Sequence, residues 1–145
     1  MANEAIRTYG TTRTLEASGA SCANAAVVQA DDATLDLPTN DSNFPHARFV
    51  LTVAYGTNPT VGTLIELIAA EQDVDSTTDT NNPTAAYRNK LVGGFVVFNQ
   101  TAAQTLVCDV YDLPPKANYW LYNNTGQTIS STWTLKATPF TYKPA

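Results

Sequence analysis

Hydrophobic and polar residues alternate with a period of two along residues 128–137. The residues of the two faces are Ile129, Ser131, Trp133, Leu135 and Ala137 on one side, and Ser130, Thr132, Thr134 and Lys136 on the other. Because successive side chains of a strand point to opposite faces, this pattern predicts a half-buried antiparallel strand with Trp133 in the core. Residues 118–122 indicate a second strand, and Gly126 between the two can adopt the positive φ of a short turn. The sequence therefore predicts a β-hairpin over residues 118–137.

Several other segments have a strand-like pattern. Residues 47–55 and 104–111 alternate in the same way, and shorter apolar runs occur at 25–29, 34–37 and 91–98. Loops rich in Pro, Gly, Asn, Asp, Ser and Thr separate these segments. About seven to nine short strands with turn signals at near-regular spacing predict an all-β fold, either an antiparallel β-sandwich or a barrel.

Residues 61–71 leave two interpretations open. As a strand, the segment would be apolar on both faces. As a helix, residues 63–71 would begin with a capping box at Thr63 and Glu66 and would carry an apolar stripe. The all-β character of the flanking segments favours a strand that is buried on both faces, as in the interior of a sandwich.

The two ends of the chain are weakly patterned. Residues 1–20 are small and mostly polar, and we interpret them as an extended N-terminal arm on a single β domain formed by residues 21–145. A frayed terminus or a first edge strand is an equal alternative for the arm. Residues 138–144 contain two prolines and are expected to form an extended tail. The start of the chain lacks the apolar stretch of a signal peptide, and no run approaches the length of a membrane span.

Composition and charge narrow the possible functions. The chain has 145 residues, a length typical of one domain, and a formal net charge of −5. Its Lys and Arg residues are scattered singly, so we expect no binding of nucleic acid. Acidic residues concentrate between Glu66 and Asp79, where no basic residue occurs.

Few residues are candidates for catalysis or metal binding. His46 is the one histidine of the sequence, and it is expected to be a surface or edge side chain. The sequence contains no Gly-x-Ser-x-Gly elbow and no phosphate-binding loop, so we predict a protein that is not an enzyme and has no cofactor. The acidic loop 73–79 could bind Ca²⁺, but a solvated loop is favoured because the turn glycine of a helix-loop-helix site is missing. Cys22 and Cys108 could pair, although two free thiols that are buried or partly buried are the favoured interpretation.

Aromatic residues crowd the last third of the sequence. They are Tyr111, Tyr119, Trp120, Tyr122, Trp133, Phe140 and Tyr142. Within the predicted strand, Tyr119 faces the opposite way from Trp120 and Tyr122, and we select the latter two as the outward pair. Outward rings suit a partner surface or a stacking platform for sugar rings, whereas packing in the core or across strands is the alternative.

Three segments resemble small structural proteins of tailed bacteriophage virions, in particular head decoration (cement) proteins. The segments are Val61–Leu67, Gly93–Phe95 and Tyr119–Trp133, and the resemblance covers roughly residues 45–142, without the N-terminal arm. It implies a jelly-roll-like β-sandwich that binds the outer surface of an assembled capsid, commonly as a homotrimer, and reinforces the shell. It also implies the major capsid protein as partner, synthesis in the host cytoplasm and a final location on the capsid exterior.

The arm and the outward rings provide the candidate interface residues. These are Ile6, Arg7, Tyr9, Arg13, Trp120 and Tyr122. Two alternatives stay open, namely a carbohydrate-binding β-sandwich module with a glycan as partner, and a tail or spike component of the virion.

Overall fold

A computed structural model describes residues 5–88 and 90–144 of the chain. Within these ranges the protein forms nine β-strands and one short helix. In chain order they are β1 (Ala5–Tyr9), β2 (Arg13–Gly19), β3 (Val27–Asp36), α1 (Leu37–Asn40), β4 (His46–Val53), β5 (Leu64–Glu71), β6 (Leu91–Val96), β7 (Gln104–Val110), β8 (Lys116–Asn124) and β9 (Trp133–Pro144).

The strands pair into two antiparallel sheets that pack face to face. Sheet I has the order β1-β9-β4-β7, and β2 also pairs with β9. Sheet II has the order β3-β8-β5-β6. The sheets curl toward a half-barrel, which confirms the predicted all-β antiparallel sandwich.

The core lies between the inward faces of the two sheets. Its bulkiest fully buried side chains include Trp133, Tyr119, Phe49 and Phe95. The rings of Phe49 in sheet I and Tyr119 in sheet II are 4.8 Å apart between centroids, so they join the two layers directly. Trp133 is completely enclosed, as predicted, and its indole Nε1 donates a hydrogen bond of 2.7 Å to the carbonyl of Ala20.

The segment with two open interpretations is a strand. β5 pairs with β8 on one side and with β6 on the other, so its backbone groups are satisfied within sheet II. Ile65 and Leu67 point into the core between the sheets. Ile68 and Ala70 face the other way but are equally buried. Burial on both faces explains why this strand has no polar positions between Leu67 and Ala70.

The predicted hairpin over residues 118–137 is wrong, although both of its strands exist. β8 belongs to sheet II and β9 belongs to sheet I, so residues 125–132 cross from one sheet to the other. Gly126 has the expected positive φ of 82°, and Thr132 also has a positive φ, of 70°. Ile129 lies in the crossing and forms isolated bridges with Cys22 and Tyr55. The crossing segment is thus held by other parts of the chain instead of by a hairpin ladder.

The predicted C-terminal tail is also wrong, because β9 continues to Pro144. Residues 140–144 of β9 pair with β1, and residues 133–137 pair with β2. Pro139 falls at the gap between these partners, where its carbonyl accepts from Gly10 N at 2.7 Å. In an antiparallel strand, the N–H and the C=O of one residue point to the same side. The backbone N–H that Pro139 lacks would therefore point into this gap, so its absence removes no hydrogen bond to β4.

The N-terminal segment is part of the sandwich and not a separate arm. β1 and β2 lie end to end along one edge of β9, which corresponds to the edge-strand alternative. Residues 1–4 of the predicted arm lie outside the described residues. Cys22 and Cys108 are free thiols, as favoured, and burial raises the pKa of Cys22 to about 11.

Candidate interaction face

The outer surface of sheet I carries a cluster of aromatic and charged side chains, which we call the Tyr–Arg face. It consists of Arg7, Tyr9, His46, Arg48, Asp109, Tyr111, Phe140 and Tyr142. Strand register brings these residues together from four segments that are far apart in sequence. Arg7 lies opposite Tyr142, Tyr9 and His46 both lie opposite Phe140, and Arg48 lies opposite Asp109.

Phe140 is the centre of the Tyr–Arg face. It points away from the core between the sheets, yet none of its surface is exposed. His46 and Tyr111 cover it with ring centroids at 5.3 and 5.6 Å, and Tyr142 lies edge-on at 5.8 Å. The guanidinium carbon of Arg7 lies 4.1 Å from the centroid of the Phe140 ring, which is cation–π distance. The face therefore has its own small apolar centre.

Arg7 ties the aromatic rings to the acidic residue of the face. Its Nη2 donates to the hydroxyls of Tyr142 at 2.8 Å and Tyr111 at 3.2 Å, and its Nη1 donates to Asp109 at 2.9 Å. The hydrogen bonds to Tyr142, Tyr9 and Asp109, in that order of effect, raise the pKa of Arg7. A guanidinium with this many partners holds several side chains in fixed positions.

Asp109 is shared between two arginines. Arg48 donates to its two oxygens at 2.8 and 3.1 Å, which is the bidentate geometry typical of Arg and carboxylate. The hydrogen bond from Arg48 is the main cause that lowers the pKa of Asp109, and the bond from Arg7 adds to it. Asp109 stays ionised and neutralises part of the positive charge of the face.

His46 belongs to this cluster as an aromatic neighbour. Its Nδ1 accepts a hydrogen bond of 3.1 Å from the backbone N–H of Asp112. Its ring centroid is 5.1 Å from that of Tyr111 and 6.2 Å from that of Tyr142. His46 begins β4, an inner strand of sheet I, and its half-buried ring packs beside the tyrosines on the outer surface of that sheet.

The rims of three tyrosine rings remain open to solvent. Tyr9, Tyr111 and Tyr142 are 47%, 50% and 42% exposed. Val107, two residues before Asp109 in the outward row of β7, is exposed as well. Exposed Tyr next to Arg is the composition that dominates binding energy at protein interfaces.

The Tyr–Arg face is also electropositive relative to the rest of the chain. Its charged members are Arg7 and Arg48 as cations and Asp109 as the carboxylate, so the net charge of the face is 2 − 1 = +1. The whole chain has a formal net charge of −5. Charge is thus polarised, and the face favours partners with an acidic surface.

The predicted interface residues divide between several places. Arg7 and Tyr9 lie in the Tyr–Arg face, whereas Ile6 alternates to the other side of β1 and is exposed there. Arg13 lies 3.8 Å from Asp41 in an ion pair near the junction of β1 and β2. Trp120 and Tyr122 point outward from sheet II, as the alternation predicted.

The outward pair of sheet II is largely covered. Trp120 is half-buried, and Arg88 places its guanidinium carbon 4.2 Å from the centroid of the Tyr122 ring. Arg88 also forms an ion pair of 2.9 Å with Glu66 on the neighbouring strand. Neither ring offers a bare platform for stacking, and neither is near the Tyr–Arg face.

Most residues of the Tyr–Arg face were missed in the sequence. The i, i+2 pairs His46 and Arg48, Asp109 and Tyr111, and Phe140 and Tyr142 each place aromatic or charged side chains on one strand face. Side chains at positions i and i+2 of a strand point to the same side, so these repeated pairs indicate one shared surface. Because residues 138–144 were predicted to form a tail, Phe140 and Tyr142 were not assigned to the face of a strand.

One cluster of three acidic residues is held by backbone amides. Glu16, Asp31 and Asp32 come within 4.8 Å of one another through their carboxylate oxygens. Glu16 accepts from the N–H groups of Ser18 and Asp31 at 2.9 and 3.3 Å, and Asp32 accepts from Ala17 at 2.6 Å. These amides, which lie within the cluster and beside it, account for its geometry without a metal ion.

The acidic loop considered for Ca²⁺ is a small ordered turn. Asp75 and Thr78 form an isolated bridge, and Asp79 accepts from the N–H of Asp73 at 2.8 Å. Lys116 forms an ion pair of 2.6 Å with Asp73. The cationic partner reduces the attraction of this loop for a divalent ion.

Comparisons with known proteins found no match: no family model, no curated protein and no solved structure is significantly similar to the chain. Within the described residues, the helical segments lack the length and apolar character that crossing a membrane requires.

Proposed function

We propose that the chain is a structural protein of a bacteriophage virion that binds the outer surface of the capsid through the Tyr–Arg face and performs no catalysis. The observation that carries the proposal is the face itself, where three exposed tyrosines surround a buried Phe140 and two arginines. The sequence resemblance to decoration proteins supplies the kind of partner.

The Tyr–Arg face suits a permanent contact with a large protein surface. Tyr9, Tyr111 and Tyr142 present amphipathic rings, and such rings are enriched among the residues that dominate interface energy. The hydrogen bonds of Arg7 to Tyr111 and Tyr142 hold two of these rings before any partner arrives. A surface fixed in this way loses little conformational entropy on binding.

The charge of the Tyr–Arg face specifies the chemistry of its partner. The net charge of +1 on this face, within a chain of net charge −5, favours a patch on the major capsid protein that is acidic as well as apolar. The acidic segment 66–79 lies in β5 of sheet II and the loop that follows it, so this segment faces away from the shell and toward solvent. We propose that three copies assemble at a contact point between capsomers, as the resemblance implies.

Co-sedimentation with shells tests the proposal directly. Purified wild-type chain is mixed with capsids that lack it, and bound protein is quantified after the shells are pelleted. We expect Tyr111→Ala and Tyr142→Ala each to weaken binding by about tenfold or more, because removal of a hot-spot tyrosine costs about 2 kcal/mol.

Tyr87→Ala is the matched control, since Tyr87 is a comparably exposed tyrosine in the loop beside sheet II. It should bind shells as the wild type does. Equal binding by all variants, or binding to purified tails and not to shells, would overturn the proposal. The second result would identify a tail or spike component.

A further inference from the structure

A second surface feature lies on the other side of the sandwich, beside the end of β5. It is an open cleft of about 640 Å³, which falls within the range of roughly 300–1,000 Å³ typical of small-molecule sites. The residues that line it are Ala69, Glu71, Asp79, Thr80, Asn81, Tyr87 and Lys90. Apart from Ala69 and the ring of Tyr87, every lining residue is polar or charged.

Tyr87 lies at the end of a turn that two backbone hydrogen bonds with Thr84 close. The backbone N–H of Thr84 donates to the carbonyl of Tyr87 at 2.8 Å, and the N–H of Tyr87 donates back to the carbonyl of Thr84 at 3.1 Å. The Thr84 hydroxyl accepts a further bond of 3.1 Å from the same N–H. Tyr87 is 55% exposed, so a hydrogen-bonded turn displays an aromatic side chain at the cleft.

Arg88 fastens this turn to the outer face of sheet II. Its guanidinium donates to the carbonyl of Ala85 at 2.6 Å, pairs with Glu66 at 2.9 Å and covers the Tyr122 ring at 4.2 Å. Pro83, just before the turn, is buried. The wall of the cleft that carries Tyr87 is therefore anchored to the sheet.

The polar groups of the cleft are fixed as well. Thr80 donates from its N–H and from its hydroxyl to the carbonyl of Glu71, both at 3.0 Å. The Glu71 carboxylate is paired with Lys90, and one oxygen of Asp79 accepts from the N–H of Asp73. A carboxylate has two oxygens and an ammonium has three donors, so each group keeps capacity for a ligand.

We propose that this cleft binds a neutral oligosaccharide. A sugar presents apolar C–H faces that stack on an aromatic ring such as that of Tyr87, and a rim of hydroxyls that both donate and accept hydrogen bonds. Glu71 and Asp79 supply acceptors and Lys90 supplies donors around the ring. The site is independent of the Tyr–Arg face, so either proposal can fail without the other.

Charge and polarity separate this ligand class from others. Two carboxylates against one ammonium leave the cleft with a net charge of 1 − 2 = −1, which disfavours acidic sugars and phosphates. The ammonium of Lys90 already occupies the Glu71 carboxylate, which disfavours a divalent cation. The polar lining disfavours an apolar small molecule, which needs mostly hydrophobic walls.

Two-dimensional amide NMR of the full chain tests this site with maltohexaose, cellohexaose and chitohexaose as probes. We expect at least one of them to cause saturable shifts of amides in residues 79–90 at millimolar or lower concentration. Tyr87→Ala should weaken that binding by about tenfold, because stacking on one aromatic ring contributes about 1–3 kcal/mol.

Asp79→Asn provides a second variant that keeps the size of the side chain and should weaken binding severalfold, and Tyr111→Ala on the other sheet should leave it unchanged. The proposal is overturned if none of the three hexasaccharides shifts these amides, or if Tyr87→Ala binds as the wild type does. It is overturned equally if oligogalacturonate binds more tightly than the neutral sugars, or if CaCl₂ alone shifts the same amides.

Discussion

Asp109 determines how much positive charge the Tyr–Arg face presents. Arg48 and Arg7 lower its pKa from the ordinary value of 3.8, so the folded protein binds the Asp109 proton more weakly than the unfolded chain does. The stabilisation is therefore complete above the unfolded pKa and is lost as pH falls through the lower, folded pKa. The window in which it disappears lies below pH 3.8.

This argument predicts the pH dependence of one substitution. Asp109→Asn should lower the free energy of unfolding at neutral pH by about 1 kcal/mol, since it weakens charge-assisted bonds to two arginines. The difference from wild type should shrink as pH falls below 3.8, and urea unfolding at each pH measures it. Asp112→Asn is the control, because that side chain is 93% exposed. A difference that grows toward low pH would contradict the argument.

Gly19 shows how a small residue fixes the position of a large one. A Cβ at Gly19 would lie 2.0 Å from Cε2 of Trp133, which is far inside van der Waals contact. Gly19→Ala should therefore lower the free energy of unfolding by about 3 kcal/mol or more, as overpacking against an enclosed ring does. Chemical denaturation measures the loss.

Gly56→Ala provides the matched control for Gly19→Ala. A Cβ at Gly56 meets no atom within 4 Å, so its effect should stay within about 0.5 kcal/mol. If Gly19→Ala were equally mild, the packing of Trp133 on β2 would be refuted. The alternation of the sequence predicted that Trp133 is buried. It did not predict that Trp133 requires a glycine at position 19, because only the pairing of β2 with β9 brings the two residues together.

At the scale of elements, the crossing between the sheets depends on Asn123. This residue is completely buried, and its Nδ2 donates to the carbonyls of Cys22 at 3.0 Å and Gln127 at 2.7 Å. Its Oδ1 accepts from the N–H and the hydroxyl of Thr125, at 3.2 and 2.7 Å. One side chain thus satisfies the backbone where the chain leaves sheet II.

Asn123→Ala should lower the free energy of unfolding by about 2–4 kcal/mol, because it removes four hydrogen bonds at a completely buried site, including the one that the N–H of Thr125 donates to Oδ1. The adjacent Asn124→Ala is the control, since Asn124 is exposed and should change stability by less than about 0.5 kcal/mol. Thermal and urea unfolding distinguish the two. Equal effects would mean that the crossing does not depend on the buried amide.

The crossing also explains why a correct strand pattern gave a wrong hairpin. Alternation along residues 133–137 shows which side chains are buried, but it does not show which strand lies alongside. A glycine with positive φ, such as Gly126, fits a tight turn as well as the start of a crossing. The partners of β9 are β1, β2 and β4, and each lies at least 80 positions away in sequence.

At the scale of the whole molecule, the sequence was sufficient for the fold class and for the inward faces of β4 and of the first part of β9. It was not sufficient for the Tyr–Arg face, since that surface depends on four segments meeting around Phe140. Arg7 and Tyr9 were selected for their place in a supposed arm, and the structure gives them another context, the edge of sheet I. Trp120 and Tyr122 faced outward as predicted, but Arg88 covers Tyr122 through a contact between distant residues.

The sandwich has two unlike outer surfaces. Sheet I carries the electropositive Tyr–Arg face, and the side of sheet II carries the acidic segment 66–79 and the cleft at Tyr87. A protein that lies on a shell needs one surface for the shell and another for solvent. The proposed function therefore predicts an orientation as well as a binding event.

Electron cryomicroscopy of shells saturated with the purified chain measures that orientation most directly. We predict density for the sandwich on the outer surface of the capsid, with sheet I facing the shell and Tyr111 and Tyr142 in contact with the major capsid protein. Density in which sheet II faces the shell, or shells that stay bare at saturating protein, would contradict the account.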